Sequence, residues 1–109
     1  MLDPNKIKKK VSVNDFIVLI RKYSPDQFED SGHAFKRLSQ KQRGLFTIKE
    51  VCNILLKNNP FLVGVQENDN YAAFYKFQGK NLRIIIRLER QKVKIVTFYY
   101  VLELQIPKI

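Results

Sequence analysis

The chain has one histidine, His33, within the stretch SGHAFKRLSQKQRG, Ser31 to Gly44. Lys36, Arg37, Lys41 and Arg43 surround it, and no acidic residue interrupts the stretch. Histidine titrates near neutrality, so it can take and give a proton under ordinary conditions. If the stretch is helical, residues four apart are neighbours, and His33 and Arg37 project side by side. A nearby guanidinium favours the neutral imidazole, the form that acts as a base. That pairing suits the metal-free cleavage of RNA by its own 2′-hydroxyl. The reaction needs one group to take the hydroxyl proton, another to protonate the leaving oxygen, and cations on the phosphorane charge. His33 fits the proton work. Arg37, Arg43, Arg83 or Arg87 can hold phosphate through the planar guanidinium fork. Tyr99 or Tyr100 can donate or relay a proton. The plainer alternative is a structural or merely exposed histidine on a solvated helix.

Other chemistries lack their residues. One histidine and one cysteine, Cys52, cannot build a typical zinc site. Four scattered glycines make no phosphate-cradling loop or dinucleotide fingerprint. Carboxylates are sparse in the second half, which leaves two-metal nuclease chemistry few ligands. There is no Gly-x-Ser-x-Gly elbow. No metal and no cofactor is therefore expected. Cys52 reads as a small buried hydrophobe. It cannot form an internal disulfide, and a reducing, cytoplasmic location fits.

Charge narrows the partner. Twenty Lys and Arg face ten Asp and Glu, a net +10. A domain this basic points to a polyanion, most often nucleic acid and less often an anionic membrane surface. No apolar run approaches the roughly 18 residues of a membrane span. The basic start, MLDPNKIKKK, is not followed by a clean signal-peptide apolar region and cleavage site.

These groups must be positioned by a single small domain, since 109 residues suit one core. Residues 1–11, rich in lysine, read as a flexible basic arm, and 12–109 as a single α+β domain. Ser12 can cap a helix in which Val13, Phe16, Ile17, Ile20 and Tyr23 recur at helical spacing, ended by Ser24-Pro25. A second helix is predicted over roughly Gly32 to Lys41, with Ala34, Phe35 and Leu38 as its apolar stripe. Thr47-x-x-Glu50 is a capping box that opens a third, with Ile48, Val51, Cys52 and Leu55 inward and Asn58-Asn59-Pro60 as the stop. From Phe61 the period becomes two. FLVGVQ, YAAFYKFQ, LRIIIRL and KVKIVTFYYV read as four strands, separated by turn-forming segments such as Glu67 to Asn70 and Gly79 to Asn81. The expected architecture is α+β: N-terminal helices packed on one face of a four-stranded, mainly antiparallel sheet. The other face is then free for a ligand.

The last hairpin decides which residues share that free face. Pairing Leu88 with Val93 sets Arg87 against Lys94, Ile85 against Val96 and Arg83 against Phe98. Arg83, Arg87, Lys94, Phe98 and Tyr100 then share the open face. Leu82, Ile84, Ile86, Val93, Ile95, Thr97 and Tyr99 point to the core. Arginine among aromatic rings suits RNA or single strands, because cations neutralise phosphate and rings stack on unstacked bases. A one-residue bulge reverses the parity.

The run Ser31-Gly32-His33-Ala34-x-x-Arg37, followed by Arg43-Gly44-Leu45 and a capped helix, resembles a family of small bacterial and archaeal domains. Their pattern opens with His-Ala-x-x-Arg and closes with a strand like KIVTFY, here Lys94 to Tyr99. That family is related to the RelE-like toxin ribonucleases, and the resemblance covers roughly Phe28 to Val101. It implies helices on a small antiparallel sheet and a metal-independent endoribonuclease, often the toxin of a toxin–antitoxin pair. His33, Arg37, Thr97 and Tyr99 match the pattern by position. Arg43 stands further from Arg37 than the pattern sets it. The resemblance implies His33, Arg37 and Tyr99 as catalytic residues.

The expected function is metal-independent RNA cleavage. Arg43, Arg83, Arg87, Lys94, Phe98 and Tyr100 would bind the nucleic acid. The expected partners are RNA, free or on the ribosome, and an acidic antitoxin protein, with no membrane. The alternatives are a non-catalytic nucleic-acid-binding module and an accessory protein with an acidic partner.

Overall fold

A computed structural model describes residues 7–30 and 48–107. The first described element is a strand, β1, Ile7–Val11, followed by helix α1, Val13–Ile20. The Ser12 hydroxyl accepts the Asp15 backbone N–H at 3.4 Å, capping the helix as its sequence predicts. A 3-10 turn at Pro25–Gln27 leads into the short strand β2, Phe28–Asp30. Helix α2, Ile48–Lys57, then precedes β3, Leu62–Gln66, β4, Tyr71–Phe77, β5, Lys80–Leu88, and β6, Val93–Val101. A last 3-10 turn covers Glu103–Gln105.

The described strands form one mixed six-stranded sheet in the order β1-β3-β4-β5-β6-β2. This corrects the expected four-stranded, mainly antiparallel sheet preceded by helices. Residues 7–11, read from the sequence as part of a basic arm, add an antiparallel strand beside β3. Residues 28–30 add a parallel strand beside β6. Both were hidden for physical reasons. Lys8, Lys9 and Lys10 mask the alternation of an edge strand, where lysine is at home. A three-residue strand is too short to show a period. The predicted second helix, Gly32 to Lys41, lies outside the described residues.

Strands β3, β4 and β5 obey the two-residue period, and β6 keeps it as far as Ile95, where its register shifts. Val63, Ala73, Tyr75, Leu82, Ile84, Ile86, Val93, Ile95 and Phe98 form one buried core with Phe16 and Ile20 of α1 and Val51, Cys52, Ile54 and Leu55 of α2. Between β4 and β5 the chain reverses through Gln78 and Gly79, both at positive φ (52° and 76°). Paired positive φ values make a type I′ turn, whose twist matches the flanking strands. Among the described residues, no helix is long and apolar enough to cross a membrane.

Candidate nucleic-acid interface

The face of the sheet opposite α1 and α2, on which no helix packs among the described residues, carries the polar side chains. Strand pairing lines them up in rows across β4, β5 and β6. Phe74 stands opposite Arg83, and Arg83 opposite Tyr99. One row along, Ala72, Ile85 and Thr97 are aligned, and beyond them Arg87 faces Lys94. Leu62, Ala72, Phe74, Ile85 and Val101 bind this face together as a second apolar cluster, against which Ile7, Val96, Tyr99 and Ile106 pack.

A bulge sets the register. From Leu88/Val93 to Ile86/Ile95 the pairing is as the sequence predicts, including Arg87 with Lys94. The register then shifts by one residue in β6, and Ile85 pairs with Thr97 rather than Val96. From there on the parity is reversed. Tyr99 joins Arg83 on the face opposite α1 and α2, whereas Phe98 and Tyr100 turn to the side of those helices. Phe98 is buried in the core there. Tyr100 packs against that core, with the Lys80 Nζ 5.0 Å from its ring centroid. Burial raises the Tyr100 hydroxyl pKa. The open-face placement of Phe98 and Tyr100 and the core placement of Thr97 and Tyr99 are thus both reversed.

The shift builds a compact centre. The Arg83 Nη1 donates to the Tyr99 hydroxyl oxygen at 2.9 Å. The guanidinium also lies between two rings, 5.6 Å from the Phe74 centroid and 5.7 Å from that of Tyr99. Arginine favours such stacking because its charge is spread over a plane and weakly hydrated. Arg83 is only 8% exposed, and Tyr99 is half-buried. Arg87, four residues along β5, lies on the same face and is exposed; its Nε donates to the Asn70 Oδ1 at 3.3 Å. Strand geometry puts Arg83 and Arg87 about 13 Å apart along the strand.

Lys94 is differently placed. Its ammonium lies 3.3 Å from a Glu89 carboxylate oxygen and 3.8 Å from one of Glu29. The two carboxylates offset the cost of setting Lys94 opposite Arg87, since like charges across a strand pair repel. This locally neutralised lysine offers little to a phosphate.

The face is also less open than the sequence suggests. Ala72, Phe74, Ile85 and Thr97 are all buried. Gln66, Asn70 and Asn81 are buried polar residues that the sequence reading missed. Only the bulged register groups Thr97 with them on this face, and nothing in KVKIVTFYYV announces a bulge. The Gln66 Nε2, Asn81 Oδ1 and Thr97 Oγ1 atoms find no hydrogen-bond partner among the described residues.

His33, Arg37 and Arg43 lie outside the described residues. Among those described, no three His, Cys, Asp or Glu side chains gather to hold a metal ion. No protein-family model, curated protein or solved structure matches the chain.

Proposed function

We propose that the chain is an RNA-binding domain with metal-independent endoribonuclease activity. The observation that supports it most is the Arg83–Tyr99 pair, joined at 2.9 Å on the sheet face that also carries Arg87. By accepting from Arg83, the Tyr99 oxygen leaves its own proton available to a leaving group. Arg87, exposed at the rim, is placed to receive an anionic phosphate through two parallel N–H donors. The net charge of +10 draws a polyanion to the surface.

In this reading the substrate's 2′-hydroxyl attacks the adjacent phosphorus. His33 takes the hydroxyl proton as the new O–P bond forms. Tyr99 gives a proton to the departing 5′-oxygen as its bond to phosphorus breaks. The products are a 2′,3′-cyclic phosphate and a free 5′-hydroxyl. The role of His33 comes from its chemistry and from the resemblance of residues 31–37 to RelE-like toxin ribonucleases.

The test is incubation of end-labelled RNA with the full chain in EDTA. Product ending in a cyclic phosphate is expected, and His33→Ala is expected to slow its appearance by roughly 10²–10⁴-fold. RNA bound with steep salt dependence but left intact would make the domain a non-catalytic binder. Unchanged cleavage by His33→Ala would remove that residue from the mechanism.

A further inference from the structure

The far edge of the sheet is a second charged feature, separate from the Arg83–Tyr99 face. Strand β1 pairs with β3 on one side, and no described residue pairs with its other side. An extended chain at the end of a sheet presents backbone N–H and C=O groups that another strand can satisfy. Lys8, Lys9 and Lys10 are all exposed on this strand. Lys9 stands opposite Val65 and Lys10 opposite Gly64, adjacent positions, so the two ammonium groups flank the edge on opposite faces of the sheet. Lys8 is tied to Asp69. Lys9 and Lys10 form no ion pair among the described residues.

Edge lysines ordinarily deter strand addition, because an arriving neutral chain must desolvate them and a basic one is repelled. They deter a second copy of this chain for the same reason, reinforced by its net charge of +10. The same charges favour an acidic strand. Its alternating side chains would meet Lys9 on one face and Lys10 on the other, while its backbone completes the hydrogen bonds of β1. Repulsion of the wrong partners and attraction of the right one together define specificity.

We propose that the β1 edge is a docking site for an extended acidic segment of another protein, which adds to the sheet as a seventh strand. The inference is independent of the ribonuclease reading. Tyr99 lies on β6, with β3, β4 and β5 between it and β1. At the usual strand spacing this is roughly 19 Å.

The experiment uses the full chain and a ten-residue peptide in which pairs of adjacent glutamates alternate with pairs of valines, so that acidic side chains fall on both faces of the strand. The controls are the same peptide with lysine in place of glutamate and a single-stranded RNA of ten nucleotides. Amide hydrogen exchange is read residue by residue. The acidic peptide is expected to slow exchange in Ile7–Val11, and the basic peptide is not. The double variant Lys9→Glu with Lys10→Glu is expected to weaken acidic-peptide binding by about tenfold or more. Unchanged protection of β3 and β5 amides in that variant shows that the fold persists. The proposal is overturned if the acidic peptide leaves β1 exchange unchanged or binds the double variant equally well. It is also overturned if only RNA protects β1, because the lysines then belong to a polynucleotide surface. Tyr99→Phe should leave peptide binding intact whatever it does to RNA cleavage.

Discussion

Tyr75 shows how much a single polar atom can matter inside this sheet. Its ring is buried on the helix side of β4, and its hydroxyl has no hydrogen-bond partner among the described residues. Burial holds that hydroxyl well above its ordinary value of 10.0, with Arg21 pulling weakly the other way. An acid whose folded pKa is raised lends stability that is present below its unfolded pKa and lost as pH rises past it. Folding stability should therefore fall on the alkaline side, from about pH 10 upward. Tyr75→Phe removes a buried unsatisfied group, so it should raise neutral-pH stability by about 1 kcal/mol and blunt the alkaline decline. Urea melts at pH 7 and pH 11 check both effects. A clear loss of stability at pH 7 would mean that the hydroxyl is satisfied after all. Arg83 carries its charge into the sheet with its guanidinium near the Phe74 and Tyr99 rings and its Nη1 donating to the Tyr99 hydroxyl.

Secondary structure was legible in the sequence where several signals agreed. Helix α2 follows from Val51, Cys52 and Leu55 at helical spacing and ends before Pro60. Strands β3 to β6 follow from alternation, and the pairing of Leu88 with Val93 was readable from the short connection between them. The signals failed where a residue type serves two structures. Three lysines in a row fit a mobile arm as well as an edge strand, and they form the strand β1. The β6 bulge left no trace, because every residue from Val93 to Val101 except Lys94 is a good strand former and none is glycine. That one extra residue moved Tyr99 to the arginine face and took Phe98 and Tyr100 from it. The type I′ turn yields a prediction at this scale. Gln78 adopts φ 52°, which costs an ordinary side chain about 1 kcal/mol and asparagine less. Gln78→Asn should raise the thermal midpoint by a few degrees, measured by calorimetry. A lowered midpoint would show that the Gln78 side chain makes a contact worth more than the relieved backbone.

The whole molecule is a basic domain with its two described helices on one side of a mixed sheet and arginine, tyrosine and buried amides on the other. Its net charge of +10 favours a polyanion at long range, and in the proposed function the register of β5 on β6 sets where that polyanion would be held. If Arg87 binds one phosphate, Arg87→Ala should weaken single-stranded RNA binding and flatten the log–log salt dependence by about 0.7. Fluorescence titrations at several salt concentrations read this, and an unchanged slope would place the phosphates elsewhere. The Arg83–Tyr99 centre carries the claim about chemistry. Its most direct test is single-turnover cleavage of RNA in EDTA by wild type and Tyr99→Phe, under conditions where both bind the RNA fully. Loss of the Tyr99 proton donor is expected to slow cleavage by about 10²-fold or more without weakening binding. Equal cleavage rates, or intact RNA with the wild-type chain, would contradict the account.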